Sequence, residues 1–370
     1  MLSVFCSPAR YSQGPAATAQ LGSEMKALGL PGPVLIVAGR AAKRLLSSTW
    51  QTALPDAGYS YAVHDFAGEC SHAEIARIVA SAQASGAQTI VGAGGGKVLD
   101  AARAASADLN LPVVNCPTVA SSDAPCSALS VIYTDEGVFH EYRFYRKNPE
   151  LVLVDTEVVA QGPPRLLAAG MGDALATWFE AKTCVAGHVR NMRGGASTRS
   201  ALALAHLCYQ TLIEDGPEAM RAVSLQVVTP ALERIVEANT LLSGLGFESS
   251  GLAAAHAVHN GLTAAPATHS FFHGEKVAFG VIVQLVLEGA SQAQFAEVFR
   301  FSTAVGLPIT LDAIGCANLS RDLLLQVATR TTAPGETIHN EPFEVTPKMV
   351  ADAILAADSA GRAWIAQHRP

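Results

Sequence analysis

Short runs of β-branched and aliphatic residues alternate with helical stretches over the first 155 residues, and this alternation constrains the fold more than any other feature of the chain. "VLIVA" (34–38) is followed by "RAAKRLLSSTWQTAL", and "YAVHDF" (61–66) by "SHAEIARIVASAQAS". "QTIVG" (88–92) is followed by "VLDAARAASA", and "LPVVNCP" (111–117) and "LVLVD" (151–155) complete the set. Runs this short and apolar read as strands buried on both faces, and the helices between them as crossovers. The expectation is a mostly parallel sheet with helices on both sides. Ser71 and Glu74 stand in capping-box spacing at the head of one helix. "LSVIYT" and "GVFHEYRFY" flank "DEG", which predicts a hairpin appended to the sheet.

Beyond Gly162-Pro163-Pro164 the character changes. Ala- and Leu-rich runs with helical spacing occupy 165–184, 198–213, 217–242, 250–263, 274–289 and 292–305, and no strand pattern is evident. A chain of 370 residues is long enough for two domains. The predicted division is an α/β domain over 1–160 and an all-helical domain over 161–370. A ligand is expected in the cleft between them, at the C-terminal ends of the strands.

Composition narrows the partners. Hydrophobic residues make up 49% of the chain and charged residues only 15%, a balance that predicts subunit interfaces and a homo-oligomer. The net charge of −7, with no basic block, argues against nucleic acid. "VAFGVIVQLVL" (277–287) is too short to span a bilayer and reads as buried helix, so no membrane partner is expected. The N-terminal "MLSVFCSPARYSQG" lacks the basic and apolar regions of a secretion signal, and the seven cysteines include no C-x-x-C pair. Both features predict a reduced, cytoplasmic protein.

The turn "GAGGGKVLD" (92–100) lies between a predicted strand and a predicted helix. Backbone N–H groups there can approach an anion closely, and a helix N-terminus favours one. The turn fits neither familiar phosphate loop. The dinucleotide pattern would need glycine where Lys97 stands, and the P-loop would need glycine at Val91 and Ser or Thr at Val98.

Four histidines fall close together in the helical half: His256, His259, His269 and His273. "GLAAAHAVHNGL" puts His256 and His259 one turn apart on one helix face. They read either as satisfied core or surface histidines or as ligands of zinc or iron. A metal would want a carboxylate too, and Asp173 in "AAGMGDALATWFEA" is the candidate; its plain alternative is a helix N-cap after the Gly170–Gly172 break.

Taken in order, these segments resemble the glycerol dehydrogenases, within the iron-containing alcohol dehydrogenase and dehydroquinate-synthase-like superfamily. The resemblance runs through "GECS" (68–71), "GGGKVLDAARA" (94–104), "PTVASSDAPCSALSVIYTDEG" (117–137) and "LLAAGMGDALATWFEA" (166–181). It continues through "VVTPALERIVEANTLLSG" (227–244), "GFESSGLAAAHAVHNGLTA" (246–264), "HGEKVAFG" (273–280) and "GETIHN" (335–340). It implies a Rossmann-like α/β N-terminal domain, an all-α C-terminal domain of dehydroquinate-synthase-like type, and an active site in the cleft between them.

Residue by residue, the resemblance implies that Asp173, His256 and His273 bind the catalytic metal. That metal is usually Zn2+, one per subunit, with Fe2+ as the alternative. Relatives elsewhere in the superfamily often carry a histidine four residues after this aspartate; here Thr177 stands there, so a three-ligand site with an open position is implied. Gly94, Gly95, Gly96, Lys97 and Asp100 match the turn that cradles the pyrophosphate of NAD. Thr118, Ser121, Ser127, Leu129, Val131 and Tyr133 match positions lining the rest of the cofactor. Asp123 matches the residue near the substrate hydroxyls; without the resemblance it reads as a turn aspartate before Pro125. His256 and Asp123 are thus the implied catalytic residues, with His259 as a proton relay or an orienting neighbour.

One departure stands out. The family's first strand commonly ends in Gly-Asp, with the aspartate on the adenine ribose, whereas this chain has Gly39 there and Arg40 beside it. Either the site tolerates NADP better than its relatives do, even to the point of preferring it, or the correspondence slips by one residue, or Arg40 simply faces solvent. The implied reaction is reversible oxidation of glycerol, or a similar 1,2-diol, to dihydroxyacetone or the matching hydroxyketone, with homo-oligomers from dimer to octamer. The alternative is a dehydroquinate-synthase-like lyase or cyclase with the same fold, NAD and metal. Such an enzyme needs several cations around its substrate, and Lys276 is the obvious one here. "PATHSFFHGEK" replaces a more polar family form, so Phe271 and Phe272 imply a more apolar pocket if their rings face it.

Overall fold

Six strands form one sheet in the computed structural model, which describes residues 1–368. Together with a separate pair, the strands in chain order are β1 (Tyr11–Gly14), β2 (Val34–Ala38), β3 (Tyr61–Asp65), β4 (Thr89–Gly94), β5 (Val113–Pro117), β6 (Leu129–Tyr133), β7 (Phe139–Phe144) and β8 (Leu151–Asp155). The sheet runs β1-β8-β5-β4-β2-β3 and every pairing in it is parallel. β2, β4, β5 and β8 are buried along their whole length, which explains their continuous apolar sequences.

The period of two sorts the strand side chains onto two layers. Val34, Ile36 and Val91 pack with Met25, Trp50 and Leu54 of helices α1 (Leu21–Ala27) and α2 (Arg40–Asp56). Leu35, Val37 and Ile90 pack instead with Ile75, Ile78 and the alanines 101, 102, 104 and 105, from α3 (His72–Ser85) and α4 (Gly96–Leu109). Full burial of each large apolar side chain stabilises the unit by about 1.5–3 kcal/mol before entropy is set against it. Gly92 lets α4 lie close on the sheet: a Cβ there would stand 2.9 Å from that of Ala102.

Two local expectations are corrected and one strand is added. Ser71 caps α3 by accepting from Glu74 N–H at 3.3 Å, but the Glu74 carboxylate turns to Ala67 N–H (3.0 Å) and His64 (3.1 Å) rather than back to the cap. The hairpin β6-β7 is a separate two-stranded ladder, not an extension of the sheet. β1 is an edge strand that its polar sequence, "YSQG", did not announce.

The chain forms two units, and the expected single division near residue 160 differs from them in two segments. The α/β unit comprises Ser7–Pro163 with α5 (Thr156–Ala160), and also Ala222–Gly244. The latter segment carries α8 (Pro230–Glu237) and a π-helical turn at Ala238–Leu242. Side-chain bonds bring it back: Gln13 donates to Glu233 at 2.6 Å, Asn239 donates to Ala120 O at 2.9 Å, and Ser243 donates to Asp123 at 3.0 Å. The helical unit takes Met1–Cys6, Pro164–Arg221 and the residues from Leu245 onward. Its helices include α6 (Pro164–Ala186), most of α7 (Arg199–Ser224) and of α9 (Ser243–Ser250), α10 (Ala254–Leu262), α11 (His273–Leu287), α12 (Gln292–Val305), α13 (Arg321–Thr331) and α14 (Pro347–Gln367). α11 is buried from Gly274 to Leu285, as the apolar run predicted. No helix of the described residues is long and apolar enough to cross a membrane.

Candidate metal centre and dinucleotide turn

Three helices of the helical unit meet where glycine removes the side chain. A Cβ on Gly274 of α11 would lie 1.8 Å from Ala169 O of α6, and one on Gly172 of α6 would lie 2.3 Å from Gly274 O. A Cβ on Gly280 would lie 2.3 Å from Ala255 O of α10. The backbones therefore touch at these crossings, and each glycine contact sits beside a chemistry-bearing residue: Asp173 follows Gly172, His273 precedes Gly274, and His256 follows Ala255.

Asp173, His256 and His273 converge there, with one ligand atom from each lying within 4.8 Å of the others. Asp173 Oδ1 is 3.1 Å from His273 Nε2 and 3.4 Å from His256 Nε2. Asp173 is 1% exposed, whereas the side chain of His273 is 42% exposed, so solvent reaches the centre from the His273 side.

Each histidine is held through its other ring nitrogen. His256 Nδ1 lies 2.6 Å from Glu180 Oε2, and His273 Nδ1 lies 3.1 Å from His259 Nε2. His259 Nδ1 is in turn 3.1 Å from Asn260 Oδ1, whose amide donates to Glu336 at 2.8 Å. A carboxylate and an amide oxygen can only accept from these rings. The chain of partners therefore places a proton on Nδ1 of both His256 and His273 and turns Nε2 of each ring toward Asp173. His259 shares a helix with His256 but works on His273.

Glu180 is the residue the sequence reading missed. It is fully buried on α6, and its Oε1 also accepts from Ala253 N–H (2.8 Å) and His256 N–H (2.9 Å). The cap residue of α10, Ala253, has no side-chain acceptor, and the helix start is satisfied from outside: Glu341 accepts from Ala254 N–H at 3.2 Å and Gln284 from Ala255 N–H at 3.0 Å. The signal was available: Glu180 lies seven residues after Asp173, two turns along the same face of a largely apolar helix.

The electrostatics follow from the burial. Desolvation alone would raise the Asp173 carboxyl, but His273 and His256 overcome it and hold it well below the usual carboxylate range. On His256 desolvation opposes charge, yet Glu180 and Asp173 raise its pKa well above that of a free imidazole. Burial lowers the His259 pKa, helped by His273, Lys276 and His256, so that ring stays neutral. Burial pushes the Glu341 carboxyl up to about 8, with Glu288 nearby adding to the effect. Two buried carboxylates thus face imidazole nitrogens, a donor set that calls for a cation at its centre. Thr177, at the fourth position, is buried and offers no imidazole.

In the α/β unit the glycine turn joins β4 to α4. Gly95 is extended (φ −82°, ψ −179°), and its Cβ would meet nothing nearer than Val119 at 3.7 Å; for Gly96 the nearest atom would be Ser122 Oγ at 3.8 Å. Neither the backbone nor the packing requires glycine there, so the space a Cβ would fill is available to a ligand. Gly94 differs, since its Cβ would strike Val98 at 2.6 Å. Lys97 is exposed and pairs with both oxygens of Glu69, at 2.6 and 2.7 Å.

The alternation of β6 puts Leu129, Val131 and Tyr133 on its half-exposed face, with Ser130 and Ile132 buried behind. Thr118 and Ser121 are half-buried on the loop after β5, and the Asp123 carboxylate, also half-buried, accepts from Ser243. Two expected cofactor residues face inward instead. The Asp100 carboxylate is buried, accepting from Arg103 at 2.9 Å and Val131 N–H at 3.0 Å, so it ties α4 to β6. Ser127 is fully buried and donates to Ala124 O at 3.2 Å. Gly39 caps α2 and Arg40 opens it, exposed. Phe271 and Phe272 both lie against the Arg165 guanidinium, at 5.6 and 4.9 Å, beside its pair with Glu275.

The chain is similar to known proteins over nearly its whole length. The profile of the iron-containing alcohol dehydrogenase family matches residues 8–156. A glycerol dehydrogenase of Pseudomonas putida is 52% identical over 359 residues, covering 97% of this chain and 98% of that protein. A glycolaldehyde reductase of Halobacterium salinarum is 48% identical over 362 residues, covering 98% and 99%. The crystal structure of glycerol dehydrogenase from Schizosaccharomyces pombe superposes with a TM-score of 0.94 at 38% identity, over 98% of this chain and 92% of that one.

Proposed function

The chain belongs to the glycerol dehydrogenases of the iron-containing alcohol dehydrogenase family, and on that premise we propose that it catalyses the reversible oxidation of glycerol to dihydroxyacetone with a nicotinamide dinucleotide. The observation that carries the proposal is the buried set Asp173, His256 and His273, with both imidazoles oriented from behind.

Zinc is the ion this nitrogen-rich set suits, with ferrous iron the alternative; when bound, it supplies Lewis-acid polarisation of an alcohol oxygen, and the nicotinamide supplies the hydride acceptor. Asp173, His256 and His273 would hold the metal, leaving a position open for substrate oxygen. Glu180 keeps the Nδ1 proton of His256 in place, and His259 does the same for His273. His259 is therefore assigned a positioning role rather than that of a relay. Gly95, Gly96 and Lys97 would receive the pyrophosphate, and the half-exposed face of β6 would line the cofactor. Asp123 would meet the substrate hydroxyls from its bond to Ser243.

A lyase or cyclase reading is not favoured, because the relatives at about half identity are a dehydrogenase and a reductase. Assembly as a homo-oligomer and a cytoplasmic location remain part of the proposal.

The test is the glycerol-dependent rate of NAD(P) reduction before chelation, after it, and after zinc is restored, with glycolaldehyde reduction run in parallel. Loss and recovery of the glycerol rate are expected. Activity that survives complete removal of metal would refute the proposal.

A further inference from the structure

The α/β unit carries a depression of about 460 Å³ at the carboxyl ends of β2 and β3, bounded by Ala38, Arg40, Lys43, Arg44, Asp65 and Phe66. Arg40, Lys43 and Arg44 stand at i, i+3 and i+4 on the first turns of α2, which gathers three cations on one helix face. Only one carboxylate answers them, and it is engaged: Asp65 pairs with Lys43 at 2.6 Å. Among the described residues Arg40 and Arg44 form no ion pair. In a chain of net charge −7, a local excess of positive charge lining a concavity is a site for an anion.

The position of the concavity says which anion. β2 and β4 are parallel neighbours, with Ala38 opposite Ala93 and Gly39 N–H donating to Ala93 O at 3.1 Å. The glycine turn at the end of β4 thus lies beside the end of β2. A dinucleotide with its pyrophosphate on that turn lays its adenosine over the end of β2. An acidic residue there binds the 2′- and 3′-hydroxyls of the ribose and repels a 2′-phosphate, while arginine does the reverse. Here the position is Gly39, which carries no carboxylate, and the next residue is Arg40.

We propose that the Arg40, Lys43 and Arg44 face binds the 2′-phosphate of NADP(H), and that this chain takes NADP(H) more tightly than NAD(H). The inference rests on the dinucleotide reading of the glycine turn. It adds the specificity-determining residues: two guanidiniums offer paired donors to phosphate oxygens, Lys43 adds a point charge from its place beside Asp65, and Phe66 supplies an apolar wall for the adenine.

The test is binding, read by quenching of protein fluorescence or by calorimetry on the full chain without substrate. The ligands are NADPH, NADH and the fragment adenosine 2′,5′-bisphosphate. NADPH is expected to bind about tenfold or more tightly than NADH, with a steeper loss of affinity as salt is raised. Arg40→Ala with Arg44→Ala should shift the NADPH-to-NADH affinity ratio at least about tenfold toward NADH and weaken the bisphosphate.

Gly39→Asp provides a second variant that the fold accommodates: φ is −69° and the added Cβ would meet only Val98 Cγ2, at an ordinary 3.5 Å. It should reverse the preference. NADH binding tighter than NADPH, with both arginine changes leaving the ratio where it was, would overturn the inference and leave the dinucleotide reading standing. Failure of both dinucleotides to bind would bring down that reading and the inference together.

Discussion

Glycine serves opposite ends in the two units. In the helical unit, Gly172, Gly274 and Gly280 are demanded by the protein itself, because a methyl group on any of them would strike a neighbouring backbone oxygen at 2.3 Å or less. In the α/β unit, Gly95 and Gly96 have open space in front of them and nothing within 3.6 Å to collide with. The first set builds a site by packing, so the site exists before any ligand arrives. The second leaves open space in front of the backbone, the room the proposed dinucleotide would use. The difference teaches that a glycine beside a functional residue has to be assigned by what its missing side chain would meet.

One substitution in the two regions breaks or sharpens the comparison most strongly. Gly274→Ala pushes a Cβ against a backbone oxygen, so α6 and α11 must separate; an overpacking cost of about 3 kcal/mol or more is expected, with loss of metal binding, read from urea melts and metal content. Gly96→Ala sits in the first turn of α4 beside open space, and should leave folding stability within about 1 kcal/mol of the parent. Its dinucleotide affinity should nevertheless fall about tenfold or more, because the methyl group occupies the approach to the backbone N–H groups. Equal effects of the two changes on stability would erase the distinction.

The second effect tests the orientation of the ligands. Glu180→Gln keeps the shape of the side chain but removes the charge that faces His256. Metal affinity should fall about 10–100-fold, by metal-buffered titration, while the fold persists. His259→Ala should act in the same direction through His273, raising the metal dissociation constant; a fall in turnover at full metal occupancy would restore the relay role.

The third and smallest effect is on pH dependence. The Glu341 carboxyl titrates near 8 in the folded protein, well above its ordinary value of 4.5. Between those two values the unfolded chain has lost its proton while the folded one keeps it, so this group lowers stability as pH rises through that window. Glu341→Gln should remove the slope. The variant should match the parent near pH 4.5 and exceed it by about 1–3 kcal/mol near pH 8, in urea melts at both values.

Much of this was legible in the sequence for physical reasons. The buried strands β2, β4, β5 and β8 are continuous apolar runs, and the helical half keeps its period over long stretches. The candidate ligand triad stood out because imidazoles and a lone aspartate are conspicuous among Ala and Gly. Other parts were hidden. β1 is a four-residue polar edge strand whose partner lies far along the chain, and no local pattern marks such pairing. The return of Ala222–Gly244 to the α/β unit depends on single bonds such as Asn239 to Ala120 O. Asp100 matched a binding motif, yet its carboxylate faces Arg103, because residues one turn apart on a helix pair with each other when the face is buried. Glu180 was passed over because a glutamate in a long helix usually faces water; only the meeting of α6 with the start of α10 gives it its role.

The account turns on the claim that Asp173, His256 and His273 hold one catalytic metal ion. Calorimetric titration of zinc into metal-stripped protein, for the parent and for Asp173→Asn, tests it most directly. The account predicts one tight site per chain in the parent and its loss in the variant, with the fold intact by circular dichroism. An unchanged stoichiometry and affinity in Asp173→Asn would contradict it.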